Sequence, residues 1–301
     1  MTEPVEARVR EDQFLGALLG MAIGDALGVP LRGMAPTSIS STHGSIKGYL
    51  TAPDPESGSD AAIGQISDKT EIALCIVESL TTNDGFLDFD NIAARMAFVA
   101  RSPSRASMSG VTLDGIERSA DHGDIGSGSI SDPAELAAAT RGVPFGLLHS
   151  IGIFDAASLR QETDLVTRLS HRGDEAALPT WYVALAVCAA ARQPDSMESW
   201  LASHSTNEAS SMREDIAGIT RHISLSTVFE QGVFDVVSEG GDTDSRAAIA
   251  GAIAGARFGA SGIPQELIDN LDARIYLSLA APWYFRTALR RQGTVIDLRT
   301  V

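Results

Sequence analysis

The sequence predicts an all-α fold: one domain over residues 1–301, a helical bundle with central buried helices and long active-site loops. Three observations carry that expectation. Hydrophobic residues make up 44% of the 301-residue chain but aromatics only 6%, and the apolar runs are rich in alanine and leucine rather than β-branched residues, a composition that favours helix packed on helix. Apolar residues recur at helical spacing in segment after segment. Glycines also step by four residues in two distant segments, Gly16, Gly20, Gly24 and Gly28 and then Gly251, Gly255 and Gly259.

Taken in order, the periodicity predicts helices over Asp12–Leu27, Thr70–Leu80, Phe89–Val99, Glu135–His149, Thr180–Ala191 and Arg246–Arg257. Further helices are expected at Pro264–Arg274 and Tyr276–Arg291. The apolar stretch Phe14 to Leu31 has the length of a membrane span, but it contains Asp25 and four glycines and reads as a buried core helix. Mid-helix glycine costs roughly 1 kcal/mol against alanine. Spacing of four keeps such residues on one face, so the two glycine series predict helices whose backbones approach another backbone closely. Turn-rich stretches lie between, the longest Met34–Ile66 and the next His122–Asp132; loops of that length are frequently binding loops.

The formal net charge is −16 and no Lys/Arg block interrupts it, which argues against nucleic acid or an anionic membrane as partner. Cys75 and Cys188, each in an apolar stretch, are expected as buried reduced thiols of a cytoplasmic protein. The acidic, polar start Met1–Asp12 does not read as a signal peptide. No G-x-S-x-G elbow, Walker loop or dinucleotide fingerprint occurs.

Polar clusters stand at predicted helix starts. Gly240-Gly241-Asp242-Thr243-Asp244-Ser245 precedes the second glycine-stepped helix. One such residue explains an N-cap, whereas this run also reads as carboxylates and hydroxyls offered to a hard cation or a phosphate. Ser67-Asp68-Lys69-Thr70-Glu71 reads as an ordinary capping box or as a second polar wall. Asp25, in Gly24-Asp25-Ala26-Leu27-Gly28, is either a helix-end residue or a buried partner that orients a loop. His171, in Ser170-His171-Arg172-Gly173-Asp174, reads as structural when taken alone.

Together, and in this order, these segments resemble the ADP-ribosylglycohydrolase family. Phe14 to Gly28, FLGALLGMAIGDALG, is similar to that family's opening helix, and Gly240 to Gly259, GGDTDSRAAIAGAIAGARFG, to its closing metal motif and following helix. Ser67–Thr70 stands where the family has Thr-Asp-Asp-Thr, Ser170-His171 where it has Thr-His, and Ala139–Pro144 where it has Met-Arg-x-x-Pro. The resemblance implies a helical bundle and hydrolysis of the anomeric C–N or C–O bond of an ADP-ribosylated substrate or ADP-ribose-like small molecule. It also implies one or two magnesium ions, with Ser67, Asp68, Asp242, Asp244 and Ser245 as metal residues and Asp68, Asp242 and Asp244 as the catalytic set. Arg32, Lys69, Arg141, His171 and the glycine-rich Gly126, Ser127 and Gly128 become candidates for substrate binding.

The chain departs from the family at three places in that site. Lys69 replaces the second aspartate of Thr-Asp-Asp-Thr, Arg32 stands where a glutamate is expected, and Leu136-Ala137-Ala138 replaces a Gly-Asn-Gly loop. Each carboxylate-to-cation exchange alters local charge by two units, so the two together shift the site by about +4, the charge of two magnesium ions. Either Lys69, with Arg32, stands in for one or both ions, or both side chains swing into solvent. A catalytically silent, ligand-binding or structural relative, and an enzyme acting on another nucleoside-like small molecule, are the alternatives to a hydrolase.

Overall fold

The computed structural model describes residues 9–51, 63–122, 135–206 and 210–293, and every regular element among them is helical. The first part of the chain supplies α1 (Glu11–Gly28), α2 (Pro36–His43), α3 (Asp68–Thr82), α4 (Phe89–Val99) and α5 (Gly110–His122). Two short helices, α6 (Leu136–Ala139) and α7 (Gly142–Leu148), lead to α8 (Ala156–Thr167) and the long α9 (Asp174–Arg192). The remainder comprises α10 (Met197–His204), α11 (Ser211–Leu225), α12 (Phe229–Ser238), α13 (Thr243–Phe258), α14 (Gln265–Asp269) and α15 (Arg274–Arg291).

Among the described residues the two glycine-stepped helices, α1 and α13, form the most extensive helix pair. A Cβ on Gly16 would stand 2.4 Å from the Gly255 carbonyl oxygen, one on Gly20 2.1 Å from that of Gly251, and one on Gly24 1.9 Å from that of Ala247. These partners run in opposite directions along the chain, so the helices are antiparallel and touch backbone to backbone. Glycine is required here by the steric limit, because the obstacle is backbone that cannot move aside. At the last step Gly28 meets the backbone of Asp244, so the stripe carries the end of α1 to the start of α13.

From Gln13 to Gly28 nearly every residue of α1 is buried, and 83% of its most apolar window is enclosed by protein. Helix α9 is buried without interruption from Ala176 to Ala191. Around these two and α13 the other helices lay one apolar stripe inward, as α11 does with Ile216, Ile219 and Ile223.

Several predicted elements differ from the structure. The Glu135–His149 helix is broken at Thr140-Arg141, because Pro144 has no N–H and its ring would crowd the Thr140 carbonyl in a continuous helix. Helix α9 starts at Asp174 rather than Thr180, tolerating Pro179 near its N-terminus. Pro264–Arg274 is a single short helix ending at Asp269, after which Leu271 enters the core and the Asp272 N–H bonds the Gly64 carbonyl. The stretch read as loop from Met34 contains α2. Cys188 is buried and Cys75 only half-buried, and both are free thiols.

Candidate functional site

Antiparallel pairing brings the C-terminus of α1 beside the N-terminus of α13, and Asp25 adds the N-terminus of α3. The Asp25 side chain is fully buried in the last turn of α1. It accepts hydrogen bonds from the Ser67 N–H at 2.8 Å, the Ser67 hydroxyl at 2.7 Å and the Thr70 hydroxyl at 2.6 Å. Asp25 is thus the partner that orients the 67–70 segment. Burial raises its carboxyl to about 6 even though the Thr70 and Ser67 hydrogen bonds and the Lys69 charge favour ionisation. Ser67 is the N-cap of α3; its hydroxyl is committed to Asp25 and to the Lys69 N–H, at 3.4 Å.

The Gly240-Gly241 turn closes the other wall. Both glycines adopt positive φ, +72° and +78°, and a Cβ on Gly240 would collide with the Met34 carbonyl. The Gly33 N–H donates to the Gly241 carbonyl and the Gly241 N–H to the Met34 carbonyl. These bonds hold the segment carrying Arg32 against the start of α13. Asp242 occupies the N-cap position yet makes no capping hydrogen bond, so the run of oxygen side chains is not an ordinary cap.

Lys69 points inward. Its side chain is only 5% exposed, and its ammonium lies 2.9 Å from Asp68 Oδ1 and 2.9 Å from Asp244 Oδ2. Arg32 lies on the rim, 39% exposed, with its guanidinium also bonded to Asp244 Oδ2 and reaching the Ser107 carbonyl at 3.3 Å. Burial opposes the Lys69 charge, but Asp68 and Asp244 outweigh it and raise the ammonium above its ordinary value. Burial alone would raise Asp244 as well, yet Lys69 and then Arg32 hold it down at about 2. Its neighbour Asp242, which keeps an exposed edge, moves the opposite way, to about 6, through loss of water and repulsion by Asp244. Asp242 approaches Asp244 and Ser245, but Asp244 Oδ1 and Ser245 Oγ, both buried, have no well-formed hydrogen bond.

A second cluster adjoins the first across the 107–109 segment. The Ser107 hydroxyl accepts from the Asp68 N–H at 3.0 Å, and two residues on the Ser109 hydroxyl donates to Glu135 at 2.6 Å. Glu135 also accepts from Thr112 at 3.2 Å and lies 3.3 Å from His171 Nε2. His171 is fully buried, and its Nδ1 lies 2.8 Å from the Ser170 hydroxyl. Because an ionised carboxylate can only accept, Nε2 donates to Glu135. Burial would raise Glu135, but the bonds from His171 and Ser109 bring it below the usual carboxylate range. Arg141, at the break between α6 and α7, is 1% exposed. Among the described residues its one side-chain hydrogen bond is a long one, 3.5 Å to the Thr167 carbonyl, and Nε has no partner. Burial lowers it to about 10, partly offset by the fields of Asp68 and Glu135. Sequence reasoning missed Glu135, Ser107 and Ser109; the serine-rich run Ser102–Ser109 was the available signal. The candidates Gly126, Ser127 and Gly128 lie outside the described residues.

Fold and site together define an all-helical protein with a charged polar centre built where one helix ends and two others begin. A family model described as ADP-ribosylglycohydrolase matches residues 6–293. The chain therefore belongs to the ADP-ribosylglycohydrolase family. It is 26% identical to the ADP-ribosyl-[dinitrogen reductase] glycohydrolase of Rhodospirillum rubrum, over 88% of this chain and 92% of that one. An uncharacterized protein of Archaeoglobus fulgidus is also 26% identical, over 93% of this chain and 98% of its own. A solved structure, an ADP-ribosylglycohydrolase-related protein complex, superposes with a TM-score of 0.71 at 24% identity, covering 92% of this chain and 98% of that one.

Family membership raises the question of magnesium, and the side chains in place do not fit a pair of such ions. Among the described residues no group of three or more Asp, Glu, His or Cys side chains is placed to hold one metal ion between them. The point between Asp68 and Asp244 is taken by an ammonium.

Proposed function

We propose that this protein is a hydrolase of the anomeric glycosidic bond in ADP-ribosylated or related ribosyl substrates, working at the junction of α1, α3 and α13. The observation that carries the reading is the convergence of Asp25, Ser67, Asp68, Asp242, Asp244 and Ser245, from three distant segments, on one polar centre. The similarity to a named glycohydrolase over nearly the whole chain supports the reaction class.

Within that reading the two aspartates of the closing turn divide the work. Asp244 is pinned by two cations and stays ionised, so it positions Lys69 and Arg32 rather than exchanging a proton. Asp242, raised to about 6 and open to solvent on one edge, is the carboxylate suited to take a proton from an attacking water near neutral pH. Asp244 Oδ1 and Ser245 Oγ, which Asp242 approaches without a well-formed hydrogen bond, are suited to meet sugar hydroxyls. Buried Arg141, with its Nε unpartnered, suits an anionic group of the substrate, with Glu135 and His171 holding the adjacent wall.

A second reading, binding without turnover, is favoured by one observation: Lys69 and Arg32 together neutralise Asp68 and Asp244. Release of ADP-ribose from ADP-ribosylated arginine and serine peptides, followed chromatographically beside calorimetric titration with ADP-ribose, separates the two. Turnover that falls at least about 100-fold in Asp242→Asn, with ADP-ribose affinity retained, is the expected result for a general base. Binding without turnover selects the second reading, and neither binding nor turnover removes both.

A further inference from the structure

The four groups in direct contact at the centre, Asp68, Asp244, Lys69 and Arg32, carry two negative and two positive charges and sum to zero. A divalent cation entering this quartet would draw no net charge from it, only what the neighbouring Asp242 and Asp25 add, and it would have to displace an ammonium already bonded to both carboxylates. The spacing points the same way. Asp68 Oδ1 and Asp244 Oδ2 each stand 2.9 Å from Nζ, a hydrogen-bond length, whereas magnesium draws its oxygens in to about 2.1 Å and prefers six of them. Lys69 is also no casual occupant. Its stem is buried, its N–H is bonded to the N-cap hydroxyl of Ser67, and its ammonium reaches the Ser107 carbonyl at 3.5 Å. Swinging it into solvent would leave Asp68 and Asp244 buried, with Arg32 alone on the rim to balance them.

We infer that the Lys69 ammonium, with Arg32 beside it, occupies the place of a divalent cation, and that this site binds its ribosyl ligand without any metal. The first half stands on the contacts of Lys69 at the residues that the family resemblance marks as metal ligands; the second rests on the ribosyl reading above. A metal-free centre also gives the buried orphans a use. Asp244 Oδ1 and Ser245 Oγ, not taken up by an ion, remain as direct partners for ligand hydroxyls. The ammonium itself is a donor that can hold a sugar oxygen where a metal would otherwise coordinate it.

The test begins with the metal alone. Free manganese(II), a spectroscopic substitute for magnesium, is counted by electron paramagnetic resonance in the presence of the chelator-treated full chain. The natural protein is expected to bind none up to millimolar concentration. Lys69→Asp, which turns the quartet into a carboxylate cluster, is expected to gain a site, with affinity tightened by about 100-fold or more. Its melting temperature should rise on adding magnesium while that of the natural protein stays put. Where Lys69→Asp does not fold, Arg32→Glu on the exposed rim carries the same expectation at smaller amplitude. Micromolar manganese binding by the natural chain, displaced by magnesium, overturns the inference, as does a folded charge-reversed variant that gains no site. In the second arm ADP-ribose is titrated with and without magnesium. Equal binding in both supports the inference, and binding only with magnesium overturns it. Absence of ADP-ribose binding in both conditions removes the ribosyl reading instead, while the manganese count still decides the first half.

Discussion

At the scale of single residues, the sequence left Lys69 two directions, because a lysine stem can cross apolar surface and place its charge in water. What decides the direction is the company it keeps. Two carboxylates are buried at the helix starts, Asp68 at 3% and Asp244 at 0% side-chain exposure, and an unpaired buried carboxylate is far costlier than an ordered lysine. That dependence is measurable from the other side. Asp244→Asn keeps the shape of the side chain but removes the charge shared by Lys69 and Arg32, so the ammonium is left buried with Asp68 alone. We expect it to lower unfolding stability in urea by about 3 kcal/mol, the scale of a buried pair deprived of one partner. Arg32→Ala, at the partly exposed rim, should cost about 1 kcal/mol or less. Equal losses in the two variants would mean that Asp244 is not the keystone of the cluster. Glu135 escaped notice for the converse reason. Its partners Ser109, Thr112 and His171 lie far apart in the chain, and only the fold brings them to one carboxylate.

At the scale of elements, the glycine series was legible in full. Spacing of four says close approach, and α1 against α13 is that approach, with Gly20 and Gly251 each facing the other's backbone. The partner could be read only as a suggestion, since a glycine stripe does not name what it touches. Its consequence for the site is positional. The stripe ends with Gly28 on Asp244, so any widening of the helix pair moves Asp244 away from Asp25, Arg32 and α3. A methyl group at Gly24 would lie 1.9 Å from the Ala247 carbonyl oxygen. Gly24→Ala should therefore destabilise the protein by about 3 kcal/mol despite alanine's better helix propensity. At Gly218 on α11 a Cβ meets nothing within 4 Å, and the same exchange there should stabilise by about 0.5–1 kcal/mol. Paired denaturation curves of the two variants separate packing from propensity, and like-signed shifts would contradict the close-contact account.

At the scale of the whole molecule, the all-α class was readable from composition and periodicity, and the helices with mostly buried surfaces were located, α1 and α13 to within three residues and α9 with its start six residues late. Helices α2, α5, α8, α10, α11 and α12 were not, because each is short or amphipathic and turns only one stripe inward. In α12 that stripe is Phe229, Val233, Val236 and Val237. Such helices owe their stability to the body they pack on more than to their own propensity. The body also has an electrostatic character that the parts together determine. Asp25 and Asp242 are both raised to about 6, so between the usual carboxylate range and that value the folded chain retains protons the unfolded chain has lost. Their contribution is therefore fully present below the unfolded value and declines as pH rises through about 6. Asp244, Glu135 and Glu162, the last held by His149 at 2.8 Å and by Arg291 at 2.5 Å, are lowered, so the stability they supply is present above the unfolded value and lost as pH falls toward their folded values, about 2 for Asp244. Repulsion within a chain of formal charge −16 at pH 7 adds to the decline on the alkaline side. Thermal unfolding followed across pH should thus peak in acidic buffer, at about pH 4, and fall away in both directions. Added salt should raise the melting temperature more at pH 8 than at the peak, because self-repulsion is what salt screens. Asp242→Asn should flatten the alkaline limb without moving the acid one; a profile still rising from pH 5 to pH 8 would mean that the raised carboxyls of the centre do not govern the molecule's response.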